Sequence, residues 1–381
     1  MTALDKQISR CRIHLVAGTR PNIVKIAPLY SCLKGQGWCN AKFIWFTQHY
    51  TPELADDILA DFGIEAADHV VAVEQSTYGA RLGSMINGFI DLCERDRPDI
   101  VVVAGDVDTT LGAALAAKRM GIPVVHLEAG LRSYDASMPE EINRVLIDSI
   151  SDIWLAPSEA ASQNLVLHEG RPPGRVHFVG NIMIDSLRDT LSDDVQATML
   201  DRFGMNRHAF GVATFHRPGN VDNSAKLAWL IDVLEDTASL YPLVVPLHPR
   251  TRAMLEAHGM LERIENITGV VLAGPIRYRN FINLLAASRF VLTDSGGLQE
   301  EAATLGKFCF TLRDNTERPI TQHCGSNHLV NEDTAKTVIK SVLAAAKGTG
   351  ISTRIPLWDG LTAERCSHVL KNWWIEVSRC G

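Results

Sequence analysis

From residue 13 onward the chain alternates between short, nearly unbroken apolar runs and longer stretches whose apolar residues recur three or four apart. IHLVAG (13–18), KFIWFTQ (42–48), HVVAV (69–73), DIVVVAGD (99–106) and PVVHLEAG (123–130) are rich in β-branched residues and predict strands. Between them PNIVKIAPLYSCLKGQG, ELADDILADFG, ARLGSMINGFIDLCERD and TLGAALAAKRMG carry the helical period. NRVLIDSIS, DIWLAPS and RVHFVGN continue the alternation to residue 181. A strand with one wet face alternates apolar and polar residues, whereas an unbroken apolar strand is covered on both faces. The pattern therefore predicts a parallel sheet between two helical layers.

The alternation then restarts. AFGVATFH (209–216), PLVVPLHP (242–249), VVLAGP (270–275), FVLTDSGG (290–297) and FCFTLR (308–313) predict a second set of strands separated by helices. TAERCSHVLKNWWIEVS closes the chain as a helix. The fold class expected is α/β, with two Rossmann-like doubly wound domains facing a cleft. Their expected extents are 1–183 and 184–360, with 361–381 as a C-terminal helix packing back on the first domain. In open parallel sheets ligands bind beyond the carboxyl ends of the strands, so the residues just after each strand are the candidates for chemistry.

Composition narrows the ligand. The 381 residues carry a net charge of −7 and a pI near 6.0, which leaves no basic face for nucleic acid or anionic lipid. A small anion would have to be met by local cations and backbone N–H groups. Without an eighteen-residue apolar run or a signal-peptide pattern, the expectation is a cytoplasmic protein without a membrane partner. The eight cysteines show no CxxC or CxH spacing, which predicts reduced structural thiols and no zinc site.

In VAGTRPNIVK, Arg20 and Lys25 flank a helix N-terminus and would form an anion site; the plainer alternative is a strand-to-helix turn with two surface cations. The spacing matches neither GxGxxG nor a P-loop. In LTDSGGLQEEAATLG, Ser295, Gly296 and Gly297 let a backbone approach a phosphate closely. Glu301, or else Glu300, could take a pair of sugar hydroxyls. His216 and Arg217 follow a strand and suit a phosphate, while His248 reads as a structural histidine. Asp106, Glu128 and Glu140 or Glu141 gather acids near cations, an arrangement that can divide acid and base roles.

Taken in order, GTRPNIVKIAPL, TQHY, GDVDTT, HLEAGLRS, MPEEINR, VGNIMIDSL, TFHRPGNVDN, PLHPRTR, LTDSGGLQEE and NTERPIT are similar to the motifs of the non-hydrolysing UDP-N-acetylglucosamine 2-epimerases. That resemblance implies the GT-B arrangement of two Rossmann-like domains. It also implies interconversion of UDP-GlcNAc and UDP-ManNAc without a nicotinamide, other cofactor or metal. The reaction implied removes the C2 proton as UDP departs, leaving a 2-acetamidoglucal, and then adds UDP back with protonation from the other face. Position by position, the resemblance makes Asp106, Glu128 and Glu140 the acid/base carboxylates and His216 a functional histidine near the diphosphate. Arg20 and Lys25 would line the substrate site, Ser295 and Gly296 would contact the diphosphate, Glu301 the ribose and Phe281 the uracil. Arg313 and Arg318 fall in a matching TLRDNTERP stretch, and family members are commonly homodimers.

Some positions depart from the family pattern. Asn22 stands where the first motif usually carries Glu, HRPGN replaces HRRE, and Thr51 stands where members activated by a second UDP-GlcNAc often have Gln; Gln48, Arg217 and His248 are kept. Two other activities compete: a 2-epimerase of a UDP-2,3-diacetamido-glucuronate type of sugar, and a GT-B glycosyltransferase using a UDP-sugar. The second leaves the acid cluster without a task. Within HLEAGLRSYDASMPEEINR, Asp135 is expected to be loop, Glu141 support, and Arg132 and Arg144 the residues that orient Glu128 and Glu140.

Overall fold

The computed structural model describes residues 9–47, 59–74, 76–345, 351 and 354–380; the side chains of Arg20 and Cys380 are outside it as well. Gln48, Thr51 and the first part of ELADDILADFG lie outside the described residues. The chain forms two units, Met1–Ser186 with Pro356–Gly381, and Leu187–Ile355.

The first unit contains β1 (Cys11–Ala17), β2 (Cys39–Thr47), β3 (His69–Ala72), β4 (Ile100–Ala104), β5 (Val124–Leu127), β6 (Ile153–Ala156) and β7 (Val176–Phe178). They form one seven-stranded sheet in the order β3-β2-β1-β4-β5-β6-β7, every pairing parallel. The second unit contains β8 (Gly211–Thr214), β9 (Leu243–Pro246), β10 (Val270–Ala273), β11 (Phe290–Thr293), β12 (Phe308–Thr311) and β13 (Asn327–Leu329). Its six-stranded parallel sheet has the order β10-β9-β8-β11-β12-β13. The winding direction reverses between β1 and β4 in one unit and between β8 and β11 in the other. Crevices open at such reversals, because the connections on either side run away from each other.

The central strands show why the apolar runs are unbroken. Successive side chains point to opposite faces. Ile100, Val102 and Ala104 join a core with Leu15 and Ile26, while Val101 and Val103 join a separate core with Phe89 and Ala113. In the second unit Phe290 and Leu292 face one core and Val291 the other. Burying one such side chain is worth roughly 1.5–3 kcal/mol.

One strand escapes the periodicity. The sequence pattern ends the second sheet at FCFTLR, whereas β13 adds Asn-His-Leu at its edge. The residues are too few and too polar to register as an apolar run. Buried side-chain bonds hold them instead: Asn327 donates to Gln299 Oε1 at 2.8 Å and accepts from Thr311 Oγ1 at 2.7 Å.

Seven described cysteines are free thiols, and burial pushes Cys93 and Cys309 up to about 12. No helix among the described residues is long and apolar enough to cross a membrane.

The last helix, Thr362–Cys380, belongs to the first unit. Cys366, Leu370 and Trp373 enter the core that also contains Ile26, Leu29 and Leu33 of the helix Arg20–Lys34. Its first amides, of Thr362 and Ala363, donate to the buried Asp185 carboxylate at 3.2 and 2.8 Å. A carboxylate there satisfies orphan donors and complements the helix dipole. Asp185→Ala is expected to cost on the order of 1 kcal/mol or more. A lowered melting temperature and faster amide exchange at Thr362 and Ala363 are the checks.

Candidate active site

In the first unit the chemistry gathers where β1, β4 and β5 end. After β1 the chain turns through Gly18 and Thr19 into the helix Arg20–Lys34, with a proline in its first turn. Asn22 is buried and bonded on both sides of its amide. Its Nδ2 donates to the Ala104 carbonyl at 2.8 Å, and its Oδ1 accepts from Thr19 Oγ1 at 3.1 Å. It thereby ties the turn after β1 to the end of β4; an ionised carboxylate at this place could accept but not donate.

One turn further along, Lys25 forms an ion pair with Glu128, and both side chains are nearly buried. Glu128 has φ 71°, a left-handed conformation that costs a non-glycine residue roughly 1–2 kcal/mol. Its N–H donates to the Leu155 carbonyl at 3.0 Å, so pairing with the end of β6 stabilises the turn. The pair leans on Gly105, which has φ 67°. A Cβ there would lie 2.7 Å from Lys25 Nζ and 3.3 Å from Glu128 Oε2, so any side chain would shift the pair, and the backbone angle itself favours glycine.

Asp106 follows directly. Its carboxylate accepts from Arg144 Nη1 at 2.8 Å and its carbonyl from Asn143 Nδ2 at 2.9 Å. Both donors lie on the helix Pro139–Ile150. Glu140 is in the first turn of that helix, four residues before Arg144, which places the two on one face. Half-buried, Glu140 makes no side-chain hydrogen bond or ion pair among the described residues. Its neighbour Glu141 accepts from the Ser133 and Tyr134 amides at 2.9 and 3.0 Å and from Arg144 Nε at 3.1 Å. Burial works to raise Glu141, but these donors hold it below the usual carboxylate range. Asp135 closes a local turn with Ser137 at 3.0 Å.

Arg132 departs from expectation. It binds neither Glu128 nor Glu140; its Nη2 donates to Asp148 at 2.7 Å and its Nε to Glu169 at 2.8 Å. The reason is the helix face: Glu141, Arg144 and Asp148 are spaced to share the buried side, and Asp148, without any exposure, requires a cation. Arg144 serves Asp106 and Glu141 rather than Glu140. His126, inside the apolar strand β5, was missed by sequence reasoning; its Nδ1 lies 2.6 Å from Asp148 Oδ1 and its Nε2 2.9 Å from the Gly105 carbonyl.

In the second unit the centre lies where β8 and β11 end. Asp294 is fully buried and collects the His216 and Arg217 amides at 3.1 and 3.0 Å, with His216 Nδ1 at 3.2 Å. Burial works to raise its carboxyl, and His216 with these amides holds it below the usual range. His216 itself is 39% exposed and in ring contact with His248 at 5.7 Å. His248 caps the helix Pro249–Ala257, accepting from the Arg250 amide at 3.2 Å.

Ser295, Gly296 and Gly297 begin the helix Gly296–Thr304, whose first N–H groups suit an anion. Above them Glu317 binds Arg313 at 3.0 Å and Arg217 at 3.7 Å. Its Oε1 would lie 2.7 Å from a Cβ at Gly296. Burial opposes its charge, yet Arg318 and Arg313 bring Glu317 down to about 2. The two glutamates left open by the sequence separate here. Glu300 is ion-paired to Arg318 at 2.8 Å, while Glu301 accepts from Tyr278 Oη at 2.9 Å. Arg318 is thus buried and committed to a protein carboxylate. Phe281, on the helix Tyr278–Ala287, packs half-buried at the rim of a core with Ile276 and Leu298. Glu317 was missed because its motif directs attention to the arginines flanking it.

A family model described as UDP-N-acetylglucosamine 2-epimerase matches residues 32–371. Over 328 residues the chain is 34% identical to the UDP-N-acetylglucosamine 2-epimerase of Methanococcus maripaludis, spanning 84% of this chain and 88% of that one. It is 35% identical over 323 residues to the UDP-2,3-diacetamido-2,3-dideoxy-D-glucuronate 2-epimerase of Pseudomonas aeruginosa, with 84% and 88% covered. The crystal structure of Methanocaldococcus jannaschii UDP-GlcNAc 2-epimerase in complex with UDP-GlcNAc and UDP matches with a TM-score of 0.84 at 32% identity, covering 95% of this chain and 99% of that one.

Glu317 lends itself to a direct test. A carboxyl lowered from its ordinary 4.5 to about 2 adds stability that is complete above pH 4.5 and lost as the pH falls through about 2. Glu317→Gln is expected to lower stability by about 3 kcal/mol near neutrality. In thermal melts from pH 7 to pH 2 the gap from wild type should close at the acid end.

Proposed function

The chain belongs to the UDP-N-acetylglucosamine 2-epimerase family of isomerases, and from that premise we propose that it interconverts UDP-GlcNAc and UDP-ManNAc by elimination and re-addition of UDP. The observation that carries this reading is the set of carboxylates in the first unit. Asp106 and Glu128 flank Gly105, each against a cation, and Glu140 shares a helix face with the arginine that holds Asp106.

A carboxylate takes the C2 proton, the C1–O bond breaks with its electron pair leaving on UDP, and C1 and C2 become doubly bonded in a 2-acetamidoglucal. In the return step the UDP oxygen adds to C1, and a carboxylic acid delivers a proton to the other face of C2. Asp106, Glu128 and Glu140 share these transfers, with Arg20 and Lys25 on the sugar side. Lys25 and Arg144 hold Glu128 and Asp106 in place for these transfers. Departing UDP carries negative charge, which the helix N-terminus at Gly296 and Gly297, the Ser295 hydroxyl, Arg217, Arg313 and His216 are suited to receive. Glu301 takes the ribose hydroxyls and Phe281 the uracil face. Arg318 acts through Glu300.

A second reading has its own support. Identity to the UDP-2,3-diacetamido-glucuronate 2-epimerase, at 35%, is as high as to the UDP-GlcNAc enzyme, at 34%. Turnover of that uronate and not of UDP-GlcNAc would transfer the same mechanism to the modified sugar.

The homodimer is part of the proposal. Ile142, Val145 and Leu146 are 50%, 42% and 45% exposed along one side of the helix Pro139–Ile150. Leu115, on the helix Asp108–Arg119 packed beside it, is 37% exposed. A second copy of the chain covers this apolar stripe.

Incubation of UDP-GlcNAc with the protein in D₂O is expected to place deuterium at C2. Asp106→Asn, Glu128→Gln and Glu140→Gln should each slow that exchange by on the order of 10² to 10⁴. Full exchange in all three, or sugar transfer to an acceptor without exchange, would sink the assignment. For the dimer, sedimentation of Ile142→Glu/Leu146→Glu is expected at the monomer mass, with wild type at twice that; identical mass for both refutes the interface.

A further inference from the structure

His126 is completely buried in a strand otherwise made of Val and Leu. A neutral imidazole has one N–H and one bare nitrogen. Here both nitrogens face acceptors, a carboxylate oxygen of Asp148 at 2.6 Å and the carbonyl oxygen of Gly105 at 2.9 Å. Only a ring that donates from both nitrogens satisfies both contacts.

The alternative is to put the shared proton on Asp148, and its surroundings oppose that. Its second oxygen accepts from the Gly130 amide at 3.1 Å and from Arg132 at 2.7 Å. A guanidinium and an amide donating to that oxygen favour the ionised carboxylate.

We infer that His126 is held as an imidazolium and acts as the positioning residue for the proton-transfer carboxylates. Its Nε2–H fixes the carbonyl of Gly105, the residue that Lys25 and Glu128 pack against and that leads into Asp106. Through Asp148 the same unit holds Gly130, two residues after Glu128, so the left-handed turn at Glu128 is gripped from behind. A neutral ring would release either Gly105 or Asp148, and one of the two acid-bearing turns would loosen. The role of these turns in exchange at C2 rests on the function proposed above; the protonation of the ring does not.

Neutron diffraction from deuterated crystals of the full-length wild type near pD 8 is expected to show deuterium on both nitrogens of His126. A bare ring nitrogen overturns the inference, whatever sugar the protein turns over. For function, His126→Gln keeps one donor and loses the other, and Asp148→Asn removes the charge that holds the imidazolium. Each is expected to lower kcat for C2 exchange by on the order of 10²-fold through misplacement of the acids. KM and the affinity for UDP, measured on the same samples, should stay within about threefold. Undiminished exchange in both variants, or KM and UDP affinity failing in step with kcat, refutes the positioning role. Absence of C2 exchange in wild type would refute the proposed reaction instead and leave the neutron result standing.

Discussion

A buried carboxylate must be surrounded by N–H groups or cations, and three of them organise this molecule. Asp148 takes the Gly130 amide, Glu141 those of Ser133 and Tyr134, and Asp294 those of His216 and Arg217. Leaving such a charge buried without partners would cost several kcal/mol. The turns that meet this demand are the ones that follow the strands and carry the candidate chemistry. Stability and geometry are thereby coupled, because loosening a turn exposes a carboxylate to an unpaired interior.

The two units apply this constraint to opposite ends. In the first, cations are set against acids, Lys25 with Glu128 and Arg144 with Asp106 and Glu141. In the second, Arg217 and Arg313 converge on Glu317 beside a helix N-terminus, and Arg318 on Glu300. Such a cluster sets guanidinium groups beside a helix N-terminus, an arrangement that suits a diphosphate. The parallel winding explains the shared location, since in both sheets the loops diverge at the strand-order reversal.

Much of the scaffold was legible in the sequence because double burial leaves a strong signature: Val101 and Val102 serve opposite cores, so neither can be polar. β13 was not, because Asn327 is fixed by side-chain bonds and not by apolar burial. Acids placed directly after apolar strands, such as Asp106 and Glu128, announced themselves by position. His126 did not: a histidine inside a strand reads the same whether it fills space or carries a proton, and only the identity of its two acceptors separates these. Partner choice was likewise hidden. Arg132 and Arg144 stand in one stretch, HLEAGLRSYDASMPEEINR, yet they reach different carboxylates.

The return of the last helix to the first unit has a consequence for how the chain is made. The bonds from Thr362 and Ala363 to Asp185 bridge 177 and 178 residues, with the whole of the second unit between them. During synthesis at about 5–20 residues per second, the apolar side of the helix Arg20–Lys34 therefore waits many seconds for its cover. The second unit, continuous in the chain, can complete its core first. The core of the first unit is thus closed only after the whole of the second unit has been made.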